Sequence, residues 1–262
     1  MSDRKLLPGK FVWFEHVSQD ANKAQEFYGE VLGWKVQPFP MGEVAYEMIL
    51  TGDTWDTMIG GYPPPAVGDP KPSHWIATVS VENVERSVNA AVANGGTVLD
   101  APSDLPGVGR KARIADPQGA ELGLVTDHRG DKPDAPAPSG NWLWNELHTT
   151  QPTQALSFYE KVVGFTHRSI DMGPANKYHI LSRDGVDRGG VADHLSGGAR
   201  AHWLPYVAVD DVDLAIARAR RRGARIPAGP EDIPGIGRFG LLEDPTGAVL
   251  AVMKPLPREK QA

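Results

Sequence analysis

Cysteine is absent from the 262 residues. That excludes a disulfide framework, a thiolate metal site and a cysteine nucleophile. Long apolar runs are missing as well. The opening MSDRKLLPGKF has no apolar signal core, and no later stretch approaches a membrane span. A cytoplasmic protein with no membrane partner is the expectation. Positive charge is also scarce: 27 Lys and Arg stand against 33 Asp and Glu, for a net charge of −6. Such a balance argues against the phosphate backbone of nucleic acid as a partner. The one basic cluster, Arg218, Arg220, Arg221, Arg222 and Arg225, falls in and just after an Ala-rich amphipathic run at 213–223 and reads as a solvated helix face.

What the chain does contain is a repeat. WFEHVSQDANKAQEFYGEVLGW begins at Trp13, and WNELHTTQPTQALSFYEKVVGF begins at Trp144. At a constant separation of 131, Trp13 meets Trp144, Glu15 meets Glu146, Phe27-Tyr28 meets Phe158-Tyr159 and Gly33 meets Gly164. Further along the separation becomes 128: His74-Trp75 meets His202-Trp203, Pro106-Gly107-x-Gly109-Arg110 meets Pro234-Gly235-x-Gly237-Arg238, and Asp116-Pro117-x-Gly119 meets Asp244-Pro245-x-Gly247. So many matches in register mean a tandem duplication. The expected domains are 1–126 and 141–262, joined by a Pro-, Gly- and charge-rich linker at 127–140.

In the first copy, period and punctuation predict strands at 11–17, 44–50, 57–61, 74–81, 109–114 and 121–125. Helices are expected at 21–32, opened by Asp20, and at 84–94, ended by Gly95-Gly96. Asp116-Pro117-Gln118-Gly119 has type I turn preferences. Strand alternation puts Val12 and Phe14 on a helix-covered face and leaves Trp13, Glu15 and Val17 on the other. By the same rule His74, Ile76 and Thr78 share a face opposite Trp75, Ala77, Val79 and Val81, and Glu121 and Gly123 lie opposite Leu122 and Leu124.

The strand, the F-Y inside the first helix, the V-L-G-W exit and the D-P-x-G before the last strand resemble the vicinal oxygen chelate superfamily, which contains glyoxalase I, extradiol dioxygenases and bleomycin-binding proteins. W-x-E, the H-W pair, V-D-D-V-D at 209–213 and P-G-x-G-R are similar to two-domain actinobacterial glyoxalase-like proteins. The resemblance spans nearly the whole chain. It implies an α+β fold of tandem glyoxalase-like domains, each with two βαβββ units in a curved mixed sheet carrying its helices on the convex side, and a small-molecule pocket on each concave side. It also implies that the usual metal-ligand slots fall on Trp13, Ile76 and Gly123, and on Trp144, Leu204 and Ala251. None of these binds metal, which speaks against glyoxalase I or extradiol chemistry through that ion.

One step away from those slots stand Glu15, His74 and Glu121 in the first copy and Glu146, His148 and His202 in the second. Glu146, His148 and His202 have the composition of a two-His-one-carboxylate site, so a displaced divalent metal (Zn, Fe, Mn or Ni) is the alternative to no cofactor. His74 and His202 equally suit a bond to a neighbouring backbone carbonyl, and Glu15 and Glu146 suit either a buried pair with those histidines or a substrate-facing acid or base. Trp13 and Trp144 either close the pocket or form a stacking wall. Leu204 and Tyr206 complete the ligand-facing set, and Arg110 and Arg238 either bind an anionic ligand at the rim or form surface ion pairs. Two functions follow. One is a metal-independent binder of an aromatic or oxygenated molecule. The other is an enzyme, a lyase or oxidoreductase rather than a standard glyoxalase I, using Glu and His as acid and base. The second copy, with its extra histidine, is the expected seat of activity. Monomer and homodimer are both compatible with an internal duplication.

Overall fold

The computed structural model describes residues 5–41, 44–64, 72–172, 177–193 and 200–257. The first half runs β1 (Phe11–Val17), α1 (Ala21–Leu32), β2 (Lys35–Met41), β3 (Val44–Leu50), β4 (Met58–Tyr62), β5 (His74–Ser80), α2 (Val84–Ala93), β6 (Thr97–Leu105), β7 (Gly109–Ala115) and β8 (Glu121–Asp127). The second repeats it as β9 (Trp142–His148), α3 (Pro152–Val163), β10 (Thr166–Asp171), β11 (Lys177–Arg183), β12 (Val186–Ala192), β13 (His202–Ala208), α4 (Val212–Arg221), β14 (Arg225–Ile233), β15 (Gly237–Glu243) and β16 (Val249–Pro255). Among the described residues this is an α+β fold of four βαβββ units. They form two eight-stranded sheets of order β2-β3-β4-β1-β5-β8-β7-β6 and β10-β11-β12-β9-β13-β16-β15-β14. The β1–β4, β5–β8, β9–β12 and β13–β16 pairings are parallel, and the flanking hairpins are antiparallel.

Sequence chemistry accounts for the local choices. The Asp20 side chain accepts the Lys23 N–H at the start of α1, and Gly33 ends it in the left-handed conformation. Asn83 and Asp211 cap α2 and α4 in the same way. Asp116 closes its turn through Gly119 N–H to its own carbonyl, while its carboxylate takes the Gln118 and Ala120 N–H groups. Two strands, β2 and β6, are absent from the periodicity expectation. They are the outer strands of their sheet, and Pro38, Pro40 and Pro102 interrupt their alternation.

Each sheet is built from one repeat, yet the compact units are assembled crosswise. One comprises Met1–Trp13, Ile76–Ala135 and Trp144–Leu204; the other comprises Phe14–Trp75, Pro136–Leu143 and Pro205–Ala262. Within the first, α2 packs on α3; within the second, α1 packs on α4. Asp131, inside the stretch 127–140, is buried in the first unit, where it accepts the Leu7 N–H and the Ser80 hydroxyl.

The repeated motifs are the interlocks of these units. In the first unit Trp203 Nε1 donates to the Tyr159 hydroxyl at 3.0 Å, and that hydroxyl donates to Asp116 at 3.1 Å. In the second, Trp75 Nε1 donates to Tyr28 at 3.1 Å, and Tyr28 bonds Asp244. So the F-Y of one copy meets the D-P-x-G of the other. The second unit has one addition: His16 Nε2 meets Asp244 Oδ2 at 2.8 Å with both side chains fully buried. Rings of Tyr28 and Trp75 stand edge-on to the imidazole. The matching position in the first unit is Leu147. Burial pushes both aspartates up; for Asp116 burial prevails over its N–H and Tyr159 donors, whereas the His16 hydrogen bond and charge, with Thr246, bring Asp244 below the usual carboxylate range. No helix among the described residues is long and apolar enough to cross a membrane.

Candidate functional site

Strand β9 carries Asn145 and Leu147 into the core, so Trp144, Glu146 and His148 project to its opposite face. There His148 Nε2 meets the Glu146 carboxylate at 2.7 Å, with the two side chains 11% and 12% exposed. The His202 ring lies 5.2 Å from that of His148, centroid to centroid. Its Nδ1–H donates to the Arg200 carbonyl at 3.0 Å, which leaves Nε2 with the ring's lone pair. Burial holds the His202 imidazole below the usual histidine range; the Arg200 carbonyl opposes this, His148 reinforces it and Glu146 opposes it. His202 is therefore largely neutral at pH 7.

An aromatic wall stands next to this cluster. Trp144 Nε1 donates to the Tyr178 hydroxyl at 2.8 Å. Tyr178 lies in a notch that only glycine permits: a Cβ on Gly190 would come within 1.9 Å of its hydroxyl oxygen. Gly190 is the parallel-register partner of Glu146.

The other unit builds the same notch with different contents. Tyr46 lies against Gly61, where a Cβ would approach its ring to 2.1 Å, and Gly61 pairs with Glu15. Here the Tyr46 hydroxyl donates to Glu15 at 2.7 Å, and Val17 takes the place of His148. His74 Nδ1–H donates to the Pro72 carbonyl at 2.8 Å. Tyr46 and Tyr178 escaped the sequence reading, although Gly60-Gly61 and Gly189-Gly190 within strands were a signal of close approach.

The remaining candidate residues are placed as follows. Trp13 is half-buried on β1 and Glu121 accepts from Arg113 at 3.3 Å. Leu204 and Tyr206 are buried on β13. Arg110 is held by Glu85 and Asp104, and Arg238 by Asp213 and Asp232, with both arginines half-buried. A cleft elsewhere in the first unit, beside the start of α3, is lined by Thr150, Gln151, Ser157 and Asp193 among others and contains none of these residues. Among the described residues no group of three or more His, Asp or Glu side chains stands so that it could hold a metal ion. Glu146, His148 and His202 share a neighbourhood, but the His148 nitrogen nearest Glu146 is bonded to that carboxylate rather than aimed at a common centre, so this arrangement does not fit a metal.

Comparison with known proteins places this geometry in a family. Residues 10–52 match the bleomycin resistance protein-like N-terminal model, and residues 145–252 match that of the glyoxalase/bleomycin resistance protein/dioxygenase superfamily. The putative glyoxylase CFP32 of Mycobacterium tuberculosis is 35% identical over 249 residues, covering 94% of this chain and 95% of the relative. The anthracycline biosynthesis protein DnrV of Streptomyces peucetius is 25% identical, covering 95% and 94%. In fold alone, the Mn(II)-bound glyoxalase from Novosphingobium aromaticivorans is similar, with a TM-score of 0.65 at 18% identity over 95% of this chain and 83% of that one. The duplicated βαβββ architecture and the full-length relative at 35% identity show that the chain belongs to the glyoxalase/bleomycin resistance protein/dioxygenase superfamily.

Proposed function

We propose that the protein binds a small oxygenated aromatic molecule on the face formed by Trp144, Tyr178, Glu146, His148 and His202. The observation that carries this reading is the juxtaposition of a fixed indole–phenol wall, Trp144 to Tyr178 at 2.8 Å, with a carboxylate–imidazole pair at 2.7 Å. A flat ring finds a stacking surface on the wall, and its oxygen substituent finds hydrogen-bond partners in Glu146 and His148. Leu204, two residues beyond His202 on β13, supplies an apolar neighbour. Two full-length relatives bear names from small-molecule metabolism, glyoxylase and anthracycline biosynthesis, and that supports the reading. Arg110 and Arg238 have no part in it, because both are committed to surface carboxylates.

The probe is p-cresol, with binding followed by saturation-transfer NMR. Truncating a stacking anchor costs about 2 kcal/mol or more, so Trp144→Ala weakens binding more than about tenfold, while Trp13→Ala leaves it unchanged. Unaltered binding in Trp144→Ala would overturn the proposal.

The His148–Glu146 bond also supports proton transfer on the same face. Glu146 orients the imidazole and stabilises its protonated form, so His148 can take a proton from a bound hydroxyl or activated C–H and return it. In that reading Glu146→Gln, measured at saturating substrate, lowers turnover of the bound substrate by about 10²- to 10⁴-fold.

A further inference from the structure

The connection between β3 and β4 departs from the repeat. Tyr46 and Tyr178, which fill matching glycine notches, stand 132 residues apart, whereas Gly61 and Gly190 stand 129 apart. The first copy therefore holds three extra residues between them. Just before β4 its chain makes a short helical turn, Trp55–Thr57, while the second copy joins β11 to β12 through Asp184 and Gly185 alone. The turn brings Trp55 against Phe39 of β2, with ring centroids 6.0 Å apart and planes at 79°. Both side chains stay open to solvent, at 41% and 44% exposure. Phe39 is the cross-strand partner of Tyr46, so the two project from one face of the sheet. On that face the Tyr46 hydroxyl donates to Glu15 at 2.7 Å. The aromatic corner thus shares its face with a carboxylate. The second copy does not repeat it, since the strand partner of Tyr178 is Ile170.

We infer that the Trp55–Phe39 corner is a second small-molecule site, built for an organic cation of the quaternary ammonium or methylated amine class. The quadrupole of an aromatic ring attracts positive charge to its face, and two rings near a right angle direct that attraction into one volume. N-methyl groups carry the charge and are apolar enough to pack on both rings. Glu15 adds a formal negative charge on the same face, and Asp56, next to Trp55 in the chain, adds another. Lys35, at the start of β2, is paired with Asp53. This site stands apart from the ligand reading of the Trp144 face and does not depend on it.

The test is saturation-transfer NMR on the whole chain at low salt, with choline and its uncharged isostere 3,3-dimethylbutan-1-ol. Choline is expected to bind about fivefold or more tightly than the alcohol. Trp55→Ala and Phe39→Ala each remove that preference, and Glu15→Gln narrows it. Both aromatic side chains are exposed, so their truncation leaves the urea midpoint close to that of the wild type, which separates loss of the site from loss of the fold. Equal binding of the two probes, no choline binding, or choline binding that survives both truncations would overturn the inference. Choline binding lost only in Trp144→Ala would overturn it as well, by moving the cation to the other face.

Discussion

His16→Leu is expected to lower stability by about 3 kcal/mol at pH 7, because it leaves the Asp244 carboxylate buried without its imidazole partner. The wild-type pair is 2.8 Å apart and fully buried. The substitution gives Asp244 the surroundings that Asp116 already has, a leucine at the strand position, a tyrosine donor and a turn, and so moves its pKa from below to above the ordinary value. The pH dependence follows from the direction of the Asp244 shift. A carboxyl group whose folded pKa lies below its unfolded value of about 3.9 contributes stability above that pH and loses it as pH falls through the folded value. The gap between wild type and variant is thus full at neutral pH and shrinks in acid as Asp244 is protonated in both. Adding Asp244→Asn to His16→Leu removes the uncompensated charge and recovers most of the loss. Urea denaturation of the three proteins between pH 7 and pH 3 reads all of this. A pH-independent deficit in His16→Leu, or no recovery in the double variant, would contradict it.

Gly109→Ala is expected to cost more than about 3 kcal/mol, and Gly107→Ala only about 1 kcal/mol. Both belong to the same Pro-Gly-x-Gly-Arg motif. A Cβ on Gly109 would stand 1.9 Å from the Thr126 carbonyl oxygen and 3.3 Å from the Asp127 Cα, all of it backbone. Gly109 pairs with Asp127 at the mouth of the β7–β8 hairpin, so relief requires the strands to part. Gly107 has nothing within 4 Å of its Cβ position and suffers only its left-handed φ of 73°. Equal midpoints for the two variants in denaturant would refute this account of the motif. The same contrast holds in the second copy, where a Cβ on Gly237 would stand 2.3 Å from the Lys254 carbonyl oxygen and one on Gly235 would meet nothing within 4 Å. The motif is therefore a hairpin device, and its arginine is a surface ion-pair partner.

Much of the fold was legible because its signals are local. Asp20 and Gly33 bracket α1, and the alternation of β1 and β9 places Glu15 and Glu146 on the face opposite Phe14 and Asn145. The edge strands β2 and β6 were illegible as patterns: proline and exposure erase the two-residue period there. The crosswise pairing of Tyr159 with Asp116 and Tyr28 with Asp244 had no local signal either, since a repeat does not say which copy packs on which. His16 was legible in principle. A histidine alternating with Phe14 on the covered face, where the other copy has Leu147, requires a buried partner.

For the site, composition and alternation placed Glu146, His148 and His202 near one another. The 2.7 Å bond between residues two apart on one strand depends on side-chain rotamers that no spacing rule supplies. Tyr178 and Tyr46 come from strands whose register against β12 and β4 sets the glycine notch, which is a tertiary fact.

The most direct test of the central claim is a crystal structure of the whole chain soaked with p-cresol. The expected result is density for the ring against Trp144 and Tyr178, with its hydroxyl within about 3 Å of Glu146 or His148. Ligand density confined to another part of the molecule, with this face unchanged, would contradict the assignment.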